Sequence, residues 1–360
     1  MQRKGLPPAN TYSEPGGARV AAGAAVSMVL LSGVLGQAAA ESPVRYDDGS
    51  ATAPAGKPLL PNVLSRYAAR PPWKVAGVDY PVGVPAGTTL LDPATIAIGG
   101  VSVNATNHTI VVSGNNVTLN GYDFGRAGGW GIYVGAKATN TVIRNSNFLV
   151  GANNLVPINA GAGSGNLTIL DNTFDATSSS GAVWALVNYN GSGRFFAQYN
   201  SFLNSPDDAI DFGSGTMTTE VKYNVFENLG TDPQAHADAV QYTGVTATNS
   251  IISFNTIYQS NPSGNQGLQI EAQNNSTITN TMVENNVIVA KGPARTMSYS
   301  IFVGAASGPN TIDGVVVANN YIDFSGAYGP FYKPTGSHLT YTGNVDMSRG
   351  QLLASPEPGR

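Results

Sequence analysis

The chain has 360 residues, a formal net charge of −4, 11% charged residues, 43 Gly and no Cys. So little charge and so much Gly argue against a helical domain with Lys/Glu faces. The acidic balance without Lys/Arg clusters excludes nucleic acid as a partner, and the lack of Cys excludes disulfides and thiolate metal sites.

In chain order, residues 1–40 read as a signal peptide. Arg3, Lys4 and Arg19 precede an apolar stretch at 21–36, and Ala38 and Ala40 match the Ala-x-Ala cleavage preference. The stretch is too short for a stable membrane span, so the expected location is outside the cytoplasm, extracellular or periplasmic. Residues 41–75, with Pro58, Pro61, Pro71 and Pro72, read as a Pro/Ala-rich linker or N-terminal cap. A repeating pattern fills 76–348, and 349–360 read as a disordered tail.

Within 76–348 an Asn-x-(Phe or Ile) step recurs: Asn172-Thr173-Phe174, Asn200-Ser201-Phe202, Asn224-Val225-Phe226, Asn255-Thr256-Ile257, Asn286-Val287-Ile288 and Asn320-Tyr321-Ile322. Tyr122-Asp123-Phe124 and Ser146-Asn147-Phe148 extend it backwards, and Asn344 closes it. Counted from Tyr122 to Asn344, the intervals are 24, 26, 28, 24, 31, 31, 34 and 24 residues, as expected for solenoid coils of constant size with variable loops.

Each step follows a short β-type run such as Thr141-Val142-Ile143 or Leu167-Thr168-Ile169. A coil is therefore predicted to hold a strand, a turn at Asn, and a second strand whose Phe or Ile points inward. Asn tolerates left-handed backbone geometry and carries both a donor and an acceptor. Stacked Asn side chains should bond one another along the axis at the ~4.8 Å strand spacing. A third type of strand, such as Ala209-Ile210-Asp211-Phe212 or Ala239-Val240-Gln241-Tyr242, completes each coil. The predicted fold is all-β: a single-stranded right-handed parallel β-helix with three short strands per coil and about nine to ten coils.

This coil period and these Asn positions resemble the pectin-lyase-like superfamily of right-handed parallel β-helix proteins, over residues 80–344. That superfamily includes pectate lyases, polygalacturonases, alginate-modifying epimerases and lyases, and phage tailspikes. The resemblance implies a substrate groove along the third type of strand and leaves the reaction open. With Ile132, Ile158, Leu186, Ile210, Val240, Ile270, Ile301 and Phe331 pointing inward, the outward column reads Tyr133, Asn159, Val187, Asp211, Gln241, Glu271, Phe302 and Tyr332. Aromatic ends and a polar centre suit a glycan, so Tyr133, Asn159, Trp184, Gln241, Phe302 and Tyr332 are the expected substrate-binding residues. Asp211 and Glu271, two coils apart, should stand ~9.6 Å from each other. That is near the upper edge of the ~6.5–9.5 Å carboxyl spacing of inverting glycosidases.

The densest group of titratable residues is Asp207, Asp208 and Asp211 on one coil with His236 and Asp238 on the next. Asp208 and Asp238 share a register, ~4.8 Å apart by backbone. Two carboxylates that close either raise one pKa or recruit a cation, and Ca²⁺ suits an oxygen set of Asp207, Asp208 and Asp238. The alternative is that Asp207 or Asp208 caps the preceding turn. His236 is a candidate general base or acid, which gives a catalytic set of Asp208, Asp211, His236, Asp238 and Glu271.

The run Asp207-Asp208-Ala209-Ile210 is similar to the Asp-Asp-x-Ile of polygalacturonase-type hydrolases, which implies a catalytic role for the pair. The Gly-His-Gly and Arg-x-Lys of that family have no counterpart here. A pectate-lyase reaction needs a cation such as Arg126, Lys291, Arg295 or Lys333, whereas alginate-type enzymes use His and Tyr, for which His236 with Tyr242 or Tyr133 would serve. The expected function is an exported polysaccharide-processing enzyme, a hydrolase or a lyase/epimerase, acting on a polysaccharide or oligosaccharide. The alternative is a non-catalytic glycan-binding or cell-surface structural module.

Overall fold

The computed structural model describes residues 56–179, 183–259, 264–290, 297–323, 328–332 and 334–357. The signal peptide assigned to 1–40, the start of the linker, and Lys291, Arg295 and Lys333 lie outside the described residues. Apart from two three-residue 3-10 turns, Pro93–Thr95 and Arg126–Gly128, the regular structure described is β. It is a parallel β-solenoid with three sheets of 10, 12 and 9 strands. No described helix is long and apolar enough to cross a membrane.

The solenoid stacks nine parallel strands along its first sheet, from Thr109–Val112 to Gly329–Phe331, in keeping with the coil repeat read from the sequence. Its ends are closed by antiparallel pairs and not by further coils. Val101–Asn104 pairs antiparallel with Thr109–Val112, and Val345–Asp346 with Gln351–Leu352. Of the second pair, Gln351–Leu352 falls in the 349–360 segment expected to be a tail; Leu353 packs on the core there, and its N–H donates to the Asn344 carbonyl at 2.8 Å.

The interior is built from the repeating step. Phe124, Phe148, Phe174, Phe202 and Phe226 form a continuous inward stack with ring centroids 4.7, 4.5, 4.9 and 4.9 Å apart. Ile257, Ile288 and Ile322 extend the column. Beside it runs the Asn ladder. The side-chain amide of Asn172 donates to Asn200 Oδ1 at 3.0 Å, and the pattern continues through Asn224, Asn255, Asn286, Asn320 and Asn344 at 2.9–3.0 Å. Each Oδ1 also accepts the backbone N–H of the preceding rung, so a row of buried polar groups is satisfied without charge.

One detail differs from expectation. The left-handed residue is not the ladder Asn but the one before it: Asn145, Asp171, Tyr199, Tyr223, Phe254, Asn285 and Asn319, with φ between 50° and 58°. Aromatic residues are rare in that conformation. Here Tyr199, Tyr223 and Phe254 stack at 5.1 and 5.2 Å, and this contact offsets the backbone cost.

The N-terminal segment does not coil. It lies lengthwise over the outer side of the third sheet, running from the last coil back to the first. Ala69 N–H donates to the Met347 carbonyl, Thr256 Oγ1 to the Ala76 carbonyl, Gly83 N–H to the Tyr199 carbonyl and Leu91 N–H to the Gly121 carbonyl. Leu60, Leu64, Val75, Val78 and Val82 bury against Tyr199, Val225, Val287 and Met347. The third sheet is thereby covered, while the first keeps polar and aromatic groups on its outer side.

Candidate functional site on the first sheet

The outward column of the first sheet is fixed by strand register. Tyr133 pairs with Asn159, Asn159 with Asn188, Asn188 with Asp211, Asp211 with Gln241, Gln241 with Gln269 and Gln269 with Phe302. Ile301 pairs with Phe331, which brings Phe302 beside Tyr332. Two expected members are therefore displaced. Val187 pairs with Ile158 and Ile210 and belongs to the core, so Asn188 takes its place. Ile270 pairs with Tyr242 and Val303, so Glu271 sits two residues further along its strand, opposite Gly304, and Gln269 fills the column. Both errors have one cause: consecutive or alternate apolar residues, Leu186 and Val187, Leu268 and Ile270, are equally buried, and alternation alone cannot choose between them.

The centre of the column is a chain of amides and acids. The Asn188 amide donates to Asn159 Oδ1 at 2.9 Å, and that of Asn190 to Asn188 Oδ1 at 3.0 Å. Thr243 Oγ1 donates to Asp211 Oδ1 at 3.0 Å, and Gln241 Nε2 approaches Gln269 Oε1 at 3.5 Å. Glu271 Oε2 accepts from Gln269 Nε2 at 2.7 Å and from Gln273 Nε2. With two strand spacings across and two residues along, the Asp211 and Glu271 backbones stand about 12 Å apart, further than the straight-across expectation.

Burial pushes the Asp211 carboxyl up to about 6, with the Thr243 hydrogen bond acting against it and the charge of Asp207 adding to it. Asp207 is also raised by burial, and the neighbouring His236 charge and backbone N–H lower it in part. His236 is exposed and lies against Asp207 at the rim of the face. Trp184, 43% exposed, immediately precedes Ala185, whose register partner is Asp208, so it flanks the same rim and not the outward column.

Asp208 and Asp238 are neighbours on successive coils. The Asp238 N–H donates to Asp208 Oδ1 at 2.8 Å and the Gln266 N–H to Asp238 Oδ1 at 2.7 Å, a short polar ladder at the start of three strands. Burial first, and then the charges of the neighbouring acids, hold both carboxyls well above the usual range. Among the described residues no group of three or more His, Asp or Glu is placed to hold a metal ion. A Ca²⁺ site asks for six to eight oxygen ligands, and Asp208 and Asp238 each already commit one oxygen to a backbone donor. The described residues do not fit the ion.

Residues unmarked by sequence reasoning complete the face. Asn188, Gln269 and Thr243 were masked by apolar neighbours. Tyr299 and Tyr328 stand beside Phe302 and Tyr332, with Tyr328 71% exposed. A polar residue inside an apolar run, as at Asn188, is the signal that would have found the first of these. Tyr242 is buried, and its hydroxyl bonds Thr219 inside the coil, so it does not serve the face. Arg126 pairs with Asp92 and Asp123.

No family model and no curated protein matches the chain. Among solved structures it is similar to a double mutant of the periplasmic alginate epimerase AlgG, at 8% identity and a TM-score of 0.22, over 72% of this chain and 84% of that one. A likeness of that size carries no argument about reaction or substrate.

Proposed function

We propose that the chain is a carbohydrate-active enzyme that hydrolyses a polysaccharide lying along the first sheet, with Asp211 as general acid and Glu271 as the fixed carboxylate that orients water. The observation that carries this reading is Asp211 itself: a carboxyl buried to 8% exposure at mid-column, raised to about 6, with amides on either side and aromatic rings at both ends. A group with that pKa holds its proton through mildly acidic pH and can deliver it to a glycosidic oxygen. Glu271 is held in place by two amide donors. Backbones about 12 Å apart are too widely separated for the ~5–5.5 Å carboxyl pair of a retaining site, so attack by water rather than a covalent intermediate is the expected course.

Hydrolysis is preferred to β-elimination or epimerisation because a buried carboxyl that keeps its proton suits a general acid better than the base that abstracts a proton α to a uronate carboxylate. The charges acting on Asp208, Asp211 and Asp238 come from other acids. His236, beside Asp207, tunes the rim and need not move a proton.

The test is incubation of the chain with neutral and acidic polysaccharides, following reducing ends and unsaturated uronate absorbance together. New reducing ends without absorbance are expected, with kcat/KM falling as pH rises through about 6, and Asp211→Asn should lose activity by roughly 10³-fold or more. Absorbance from a uronan would replace this mechanism by elimination. A chain that binds glycan but releases nothing would favour the non-catalytic module, for which the Asn159, Asn188 and Asn190 amide chain is the supporting feature.

A further inference from the structure

The rings at one end of the first sheet form a built platform and not a scatter of exposed aromatics. Phe302 and Tyr332 are stacked at 4.0 Å and 17°. Tyr299 stands edge-on to Tyr332 at 5.3 Å and 82°, and Tyr328 lies against Tyr299 at 5.6 Å. The stack leans over Gly304, where an added Cβ would lie 3.0 Å from the Phe302 ring and 3.4 Å from the Tyr332 ring. Gly304 is the register partner of Glu271, so the platform begins one strand from that carboxylate. At the other end Tyr133 leans over Gly161, where a Cβ would meet its hydroxyl at 2.6 Å. The rings at both ends therefore depend on glycines, Gly304 two residues along the Phe302 strand and Gly161 on the coil after Tyr133.

The geometry points to Tyr299, Phe302, Tyr328 and Tyr332 as a stacking subsite for one uncharged pyranose ring of the glycan processed at Asp211, an assignment that rests on the function proposed above. The four side chains carry no charge. They offer π-faces and edges to the C–H groups of a sugar, and three phenol hydroxyls to its oxygens. From the Asp211 strand to the Phe302 strand is three strand spacings, ~14 Å, roughly the length of three linked pyranose rings. The substrate then runs parallel to the solenoid axis, and only chains long enough to reach from the reacting bond to the platform gain its binding energy. Charged uronate rings gain less, since the four uncharged side chains offer their carboxylates no cation.

The experiment uses the full chain with cellohexaose, xylohexaose and mannohexaose, the corresponding trisaccharides, and hexagalacturonate. Calorimetric affinity is measured for Asp211→Asn alone and combined with Tyr328→Ala or Tyr332→Ala, and cleavage is measured in the otherwise unaltered protein. At least one neutral hexasaccharide should bind, and Tyr332→Ala should weaken it about tenfold or more while leaving its trisaccharide unchanged. Tyr328→Ala, at an exposed position that folding does not need, should act in the same direction. Cleavage with an unchanged hexamer-to-trimer ratio in both tyrosine variants, or tightest binding of hexagalacturonate, would overturn the subsite and leave the hydrolytic reading standing. Absence of both binding and cleavage across all the oligosaccharides would remove the two together.

Discussion

At Asp211 burial and hydrogen bonding act in opposite directions, and burial wins. Its folded carboxyl sits at about 6 against an ordinary 3.8, so folding takes up a proton. The stabilising contribution is present below the unfolded pKa and is lost as pH rises through the folded one. Asp211→Asn removes the ionisation and keeps an oxygen to accept from Thr243. The variant should match the wild type at pH 4 and gain up to about 3 kcal/mol by pH 8, read as a urea midpoint shift. Equal midpoint shifts at the two pH values would mean that Asp211 is not desolvated. A residue whose removal stabilises the fold while abolishing turnover is the signature of a functional group held against its own solvation. The ladder Asn residues behave in the opposite way. Asn255→Ala takes the side-chain partner from the Asn224 backbone N–H and from the Val221 carbonyl, and one of three acceptors from the Asn224 amide. It should cost about 3–5 kcal/mol, whereas a surface Asn such as Asn107 should cost under about 0.5 kcal/mol.

The element scale separates what was legible in the chain from what was not. Steps such as Asn224-Val225-Phe226 announce their own geometry, because a buried amide rung and an inward ring two residues later permit few alternatives. The strands of the first sheet carry no such marker. Ala185–Tyr189 is buried throughout, and pairing near Ala237 and Asp238 shifts register. Loops of different length precede each strand, so counting from one Asn to the next does not carry the register across. Asp211, Gln241, Tyr133, Asn159, Phe302 and Tyr332 fell in the predicted column because the inward residues assumed before them, Ile210, Val240, Ile132, Ile158, Ile301 and Phe331, are the ones in register; Val187 and Glu271 did not, because Val187 and Leu268 hold the register and Leu186 and Ile270 do not. Gly304→Leu tests the corrected register at one position. It should displace the Phe302 ring and lower affinity for long oligosaccharides, whereas at a position remote from the platform the same change would leave their binding unaltered.

For the molecule as a whole, the segment over the third sheet changes how a solenoid should unfold. Stacked coils held only by nearest neighbours can fray from either end. Here Trp73 meets Phe254 and Tyr321 edge-on at 5.7 and 5.3 Å, and the same segment reaches from Met347 to Gly121. Hydrogen-exchange protection should therefore be lost together in the coils around Tyr122 and Tyr321, and Trp73→Ala should raise exchange in both. Separate transitions for the two ends would show that the segment is a passive cover. By occupying the third sheet it also leaves the first as the long face that presents acids, amides and rings along one line. The most direct measurement is a crystal structure of Asp211→Asn with a bound neutral hexasaccharide. The glycan should lie parallel to the solenoid axis, with a glycosidic oxygen within hydrogen-bond reach of residue 211 and a ring against Phe302 and Tyr332; a chain seated on either of the other sheets, or crossing the first at right angles, would contradict the assignment.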